Sequence, residues 1–207
     1  MRLAILGASG HGKVVADTAI ASNWHEIVFF DDRWPDLASI GPWKVYGNTQ
    51  QLLTSLDEVD GVIVAIGNCA VRADKHRMLK AAGARFASVI HPRAWVSPHA
   101  TLGDGCVVMA GAVVNIGASI GDAGIVNTGA TVDHDCVMGE AVHISPGAHL
   151  AGDVSVGNTT WIGVGAAVRQ GIVIGSNVMV GAGAVVVKPV PDGQTVIGNP
   201  AMAMDRG

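Results

Sequence analysis

The residues from Val113 to Leu150 read VVNIGASIGDAGIVNTGATVDHDCVMGEAVHISPGAHL, and from Val114 onward every sixth one is aliphatic or Met. The same phase runs outward through Val108, Leu102, Val96 and Ile90 on one side. On the other it takes in Val156, Ile162, Val168, Ile174, Val180 and Val186, seventeen positions in all without an insertion or deletion. Two residues before the marked one the side chain is usually small, as at Ala112, Ala130, Cys136 and Ala148. Glycine often follows it, as at Gly121, Gly139 and Gly157. Helices repeat every 3.6 residues and half-buried strands every 2; a period of six belongs to the hexapeptide β-solenoid. Three hexapeptides close one triangular coil, residues 18 apart stack along its axis, and the aliphatics point inward. The small residue fits the crowded corner, and glycine is expected to relieve the backbone at the bend. One coil buries almost nothing; a stack of coils buries a continuous core.

The first 90 residues have a different pattern. Arg2 to Leu6 is predicted as a strand, Lys13 to Ala21 as a helix and Ile27 to Phe30 as a second strand. Thr49 to Leu56 is predicted helical, and Gly61 to Ile66 is a third apolar strand. Ala70 to Ala82 is a helix with Arg72, Lys75, Arg77 and Lys80 on its wet side, and Phe86 to Ile90 is a last strand. Such alternation indicates a small parallel sheet. The expected organisation is an α/β Rossmann-like domain at 1–89, a parallel β-helix at 90–187 and a capping tail at 188–207. Pro189 and Pro191 lack a ladder donor, so the coils are expected to stop there.

Between the first strand and the first helix stands Gly7-Ala8-Ser9-Gly10-His11-Gly12. Glycines let a backbone approach an anion, and a following helix offers free N–H groups and its positive end. Asp31 lies where such folds place an acid on a ribose hydroxyl. The spacing is G-x-x-G-x-G rather than G-x-G-x-x-G, so phosphate binding and a merely tight turn both remain open. His11 favours the first, since an imidazole beside a helix N-terminus can meet a sugar phosphate or hydroxyl.

Formal charge is −4 with no basic run, which argues against nucleic acid or an anionic membrane as partner. Beyond Arg93 only Arg169, Lys188 and Arg206 are cationic. Cys69, Cys106 and Cys136 show no paired metal spacing, and two of them occupy small inward positions. They read as core thiols of a reducing compartment. No signal peptide precedes the first strand, and glycine interrupts every long apolar stretch, so a cytoplasmic protein is expected.

Taken together, GASGHG at 7–12, FFDD at 29–32, AIGN at 65–68 and NTGATVDHDCVMGEAVHISPGAHLAGDV at 127–154 resemble the bacterial nucleotide-sugar acetyltransferases. These include the N-acetyltransferases of 4-amino-4,6-dideoxy sugars and the related sialic acid O-acetyltransferases. The resemblance covers essentially the whole chain. It implies a left-handed parallel β-helix, acetyl-CoA as donor, a nucleotide-linked amino sugar as acceptor, no metal, and a homotrimer with sites between subunits.

His134, two places after the inward Val132, stands between Asp133 and Asp135. Acyl transfer from a thioester to an amine needs a base, and an imidazole with one nitrogen held by a carboxylate suits neutral pH. The resemblance puts the base on His134 and its orienting acid on Asp135, where many relatives carry Glu; Asp133 is the other candidate. His143 lies half a coil away, so on one prism the two histidines point apart and can meet only across a subunit boundary. By resemblance His143 faces the acetyl-CoA carbonyl; a structural hydrogen bond at the trimer interface is the alternative. Gly152, one coil above His134, would let a backbone N–H approach the thioester oxygen.

Also by resemblance, Ala182 supplies backbone to the coenzyme and Asn127 holds the acceptor. Ser9, Gly10, His11, Asp31, Asp32, Arg33 and Gly67 match the family's nucleotide-sugar contacts. Arg33 suits a diphosphate or the neighbouring carboxylates equally. Trp161 suits the coenzyme or a trimer contact, Lys188 a coenzyme phosphate or solvent, and His149 reads as surface. UDP and GDP are not distinguished.

Rival readings are O-acetylation of a sialic acid, a zinc hydratase of the γ-carbonic anhydrase type, and a non-catalytic solenoid that senses a nucleotide. The hydratase needs three converging imidazoles, two of them five apart, and no histidine pair here has that spacing.

Overall fold

The computed structural model describes residues 1–204. The N-terminal unit consists of β1 (Arg2–Leu6), α1 (Gly10–Ala21), β2 (Glu26–Phe30), β3 (Ser39–Ile40), β4 (Trp43–Gly47), α2 (Thr49–Thr54), β5 (Gly61–Val64) and α3 (Cys69–Ala81). Its sheet runs β3-β4-β2-β1-β5, with β1 parallel to both β2 and β5. The edge hairpin β3–β4 has no counterpart in the sequence expectations. One of its strands is only two residues long, too short to show alternation. Helix α1 starts at Gly10 rather than Lys13, which puts His11 and Gly12 in its first turn. Gly12 is there for packing, because a Cβ on it would collide with the carbonyl oxygen of Gly7.

From Val89 to Val186 the chain forms two-residue strands that stack into three parallel sheets. The first face begins at Val89–Ile90, the second at Trp95–Val96 and the third at Thr101–Leu102. Register is a uniform 18 residues: Val114 pairs with Val132, Ile120 with Met138 and Val126 with Ile144. The coils build the left-handed parallel β-helix that the resemblance implied. Inward residues from Val108 to Val186 are buried in one core with the small corner residues. Ile90, Val96 and Leu102, at the open end, are only half-buried. Each fully buried aliphatic contributes roughly 1.5–3 kcal/mol, so the stack is held along its whole length.

Two expectations need correction. Glycine after the inward residue serves close approach, not the bend. A Cβ on Gly121 would lie 2.7 Å from the carbonyl carbon of Gly139, on the next rung. The left-handed backbone falls three residues after the inward one, where Gly117 (φ +75°), Ala123 (φ +55°) and Asp135 (φ +59°) stand. Nor do the coils stop at Pro189. Val190 donates to the Val173 carbonyl at 3.0 Å and accepts from Gly175 N–H at 2.8 Å. The prolines flank that residue, so neither sits where the ladder needs a donor. Val196 pairs beside Val180, and Thr195–Ile197 closes an antiparallel pair with Met202–Ala203. Val190, Val196 and Ala201 thereby cover the core's far end.

The N-terminal unit is seated on the coils. Val15, Ala16 and Ala19 of α1 share a core with Val89, Val107, Met109 and Ile125 of the first face. Helix α3 follows the corner between the third and first faces, with Ala73 against Ala123 and Ala141. The wet side predicted for α3 holds for Arg77 and Lys80, whose side chains are 58% and 52% exposed, and fails for Arg72. Arg72 is 1% exposed. Arg77 pairs with Glu140 at 3.1 Å, and Lys80 with Asp104 at 3.2 Å and Asp122 at 2.7 Å. A charge pattern looks the same whether it faces water or carboxylates.

Candidate active site

A cavity of about 250 Å³ opens at the C-terminal ends of β1, β2 and β5, lined by Leu6, Gly7, Ser9, Asp31, Asp32, Arg33, Ile66, Val71 and Lys75. This is where an open α/β sheet places a ligand. Ser9 caps α1, yet its hydroxyl makes no capping bond. Asp31 does not present a free carboxylate to a ribose, contrary to expectation. Its oxygens accept from Ala8 N–H at 2.7 Å, Arg33 N–H at 3.0 Å, and Arg33 Nε and Nη2 at 2.8 and 2.9 Å. Four bonds fill a carboxylate's acceptor capacity, so Asp31 holds the glycine turn in place. Arg33 also donates to the Ala8 carbonyl, at 2.8 Å. Asp32 accepts from Lys75 Nζ at 2.6 Å and from Thr49 N–H at 2.8 Å. Although burial opposes it, these bonds lower its carboxyl to about 2.

Behind this cavity the first face presents a second group. His143 is 5% exposed, its ring stacked on Trp161 with centroids 4.9 Å apart and 6.2 Å from the ring of His11. Its Nε2 lies 3.1 Å from Asn127 Nδ2, while Trp161 Nε1 donates to Ser145 Oγ at 2.6 Å. Burial first, then the positive charge of Arg72, push His143 down to about 3 and His11 to about 4. Both imidazoles are therefore neutral hydrogen-bonding groups across the physiological range.

His134 is in a different environment. It lies on the corner between the second and third faces, with its side chain 56% exposed. Asp135 Oδ2 lies 2.9 Å from Nδ1 and lifts the imidazole above histidine's ordinary 6.5. Asp133 is engaged elsewhere, accepting from His134 N–H and Asn115 Nδ2, each at 2.8 Å. Of the two neighbouring acids, only Asp135 therefore meets the imidazole ring. Room for it comes from Gly117 one rung below, where a Cβ would lie 2.5 Å from Asp135 Oδ1. Gly152 makes room for the ring itself: a Cβ there would collide with Cε1 and Nε2 of His134. The imidazole thus lies over Gly152, and among the described residues nothing hydrogen-bonds its Nε2, which leaves that nitrogen available to take a proton.

Of the residues expected to meet the nucleotide sugar, Ser9, Asp31, Asp32 and Arg33 line the cavity. His11 and Asn127 instead gather at His143, and Gly67 is bound through its carbonyl by Arg72 Nη1 at 2.9 Å. Gly10 has open space where a Cβ would be and does not line the cavity. Ala182 and Lys188 are exposed, and His149 is exposed on the second face. Nothing in the sequence singles out Lys75 or Arg72. The three thiols are all free and buried. Among the described residues no three or more of His, Cys, Asp and Glu converge as a metal site, and no helix is long and apolar enough to cross a membrane.

Residues 2–79 match the family of the PglD N-terminal domain. The chain is 37% identical over 112 residues to the UDP-N-acetylbacillosamine N-acetyltransferase of Bacillus subtilis, a match covering 52% of the chain and 51% of that relative. Among solved structures, it is 47% identical to the acetyltransferase domain of PglB from Neisseria gonorrhoeae, over 98% of this chain and 99% of that one, with a TM-score of 0.93. PerB from Caulobacter crescentus, solved with CoA and GDP-perosamine, is 38% identical over 99% and 98% of the two chains, with a TM-score of 0.94. With both halves and the join between them matched in one alignment, the chain belongs to the nucleotide-sugar acetyltransferases of the hexapeptide-repeat family.

Proposed function

We propose that the protein transfers an acetyl group from acetyl-CoA to the amino group of a nucleotide-linked 4-amino-4,6-dideoxy sugar. The observation that carries this reading is the His134–Asp135 pair lying over Gly152. The sugar's amine attacks the thioester carbonyl carbon, and Nε2 of His134 takes the proton that nitrogen sheds. Asp135 holds Nδ1–H, fixing the tautomer and stabilising the imidazolium. The Gly152 backbone N–H meets the developing oxyanion. The carbon–sulfur bond then breaks, and CoA leaves as a thiolate that recovers the proton from the imidazolium.

The acceptor's nucleotide occupies the cavity of Ser9, Asp32 and Arg33, where Lys75 and Arg33 bring positive charge toward a diphosphate. His143 and Asn127, neutral and fixed, receive the sugar and the acetyl carbonyl, and Ala182 receives the coenzyme through its backbone. His134 and His143 occupy different sides of one prism, so a site containing both is built from two copies. A homotrimer acting in the cytoplasm fits this reading.

Thiol release from acetyl-CoA, measured against UDP- and GDP-linked 4-amino-4,6-dideoxy sugars, tests it. Turnover on one of these and none on sialic acid is expected. Turnover on sialic acid alone would favour O-acetylation, and no thiol release with any acceptor would sink the enzyme reading.

A further inference from the structure

Arg72 is the largest fully buried side chain in the molecule as described. Among the described residues no carboxylate pairs with it, although isolated buried charge is costly. Its guanidinium instead donates to four main-chain carbonyls. Nη1 reaches those of Ile66 and Gly67 at 2.7 and 2.9 Å, on the turn that borders the nucleotide cavity. Nε reaches Ala123 at 2.9 Å and Nη2 reaches Ala141 at 2.7 Å. Those two carbonyls belong to successive rungs of one corner. From them the chain enters Ile125–Val126, which leads to Asn127, and His143–Ile144. A tether alone would not need a charge; a charge here also acts on the two imidazoles beside it.

We propose that Arg72 is a positioning residue for acyl transfer, joining the turn that borders the nucleotide cavity to the rungs carrying Asn127 and His143. Its fork fits carbonyls on both sides at once, which the single ammonium of a lysine does not. Nucleotide binding and the placement of the acyl-accepting face are then one event.

This inference rests on the acetyltransferase reading, and Arg72→Lys separates the two. The expected result is a KM for the nucleotide sugar raised tenfold or more, with the KM for acetyl-CoA within twofold of wild type. In Arg72→Met the His143 imidazole, followed by NMR titration, should move up toward ordinary histidine values, while in Arg72→Lys it should stay low. An unchanged nucleotide-sugar KM, or both KM values rising by the same factor, would overturn the proposal. Failure of the acetyltransferase reading looks different: wild type itself would then release no thiol.

One arm needs neither turnover nor a variant. Hydrogen exchange of wild type with UDP or GDP alone should show slowed amides at Gly67 and Cys69, and equally at Ile125 and His143. Protection confined to the cavity would overturn the coupling.

Discussion

Two histidines nine residues apart on one repeating scaffold have opposite chemistry. On the open corner, His134 has solvent on one side and a carboxylate on the other, and its basicity rises. On the covered face, His143 lies under the N-terminal unit beside a buried guanidinium, and its basicity falls to about 3. The repeat sets them differently, His143 in a strand directly before inward Ile144 and His134 in the turn two places after inward Val132, but backbone position alone does not fix basicity. The difference comes from what covers each wall. A solenoid of this kind is neutral shelving, and the second unit decides which shelf holds a base and which a fixed polar contact.

The most severe way to break that contrast is His134→Ala, which should lower kcat about 10³-fold, within the usual range for a general base. Acetyl-CoA binding by calorimetry and the oligomeric state should be unchanged, and full activity would remove His134 from the mechanism. Gly152→Ala puts a methyl group where the imidazole lies. A displaced ring should lower kcat about 10²-fold with little change in either KM, since small misplacements cost on that order.

Asp135→Asn sharpens the contrast instead. The base must be neutral to act, so kcat/KM should rise with pH through His134's ionisation, which Asp135 holds above 6.5. Replacing Asp135 should move that inflection down toward 6.5 and lower the plateau by about tenfold. An inflection that stays put would mean that another group is titrating.

A fourth effect falls on stability rather than on rate. His11 and His143, lowered to about 4 and about 3, and His76, lowered by burial, bind protons more readily unfolded than folded. Their contribution is complete above 6.5 and is lost as pH falls below it, at up to about 1.4 kcal/mol per pH unit for each. The urea midpoint should therefore drop between pH 6.5 and 4, less steeply in His143→Asn.

The β-helix was legible because one physical requirement recurs at a fixed interval, met by sixteen aliphatics and Met138 in a single phase. His134 was legible for a local reason: its acid neighbours are adjacent in sequence. The environment of His143 was not, because burial by α1 and α3 comes from residues more than 60 positions away. Arg72 looked like part of the polar stripe of an amphipathic helix, whereas it faces backbone carbonyls. Glycine's two uses were merged into one, since a residue count cannot separate a turn from a close approach. The prolines near the end do not reveal in sequence that Val190, between them, still pairs.

Asp104, Asp122 and Glu140 recur at the interval of one coil, and Arg77 and Lys80 of α3 meet them. Three helical residues rise about 4.5 Å, close to the roughly 4.8 Å between stacked strands. The helix is thus a ruler whose graduations match the pitch of the tower it leans on. Grafting this head onto another solenoid would succeed only in whole-storey steps, and deleting one residue within α3 would put every graduation out of register.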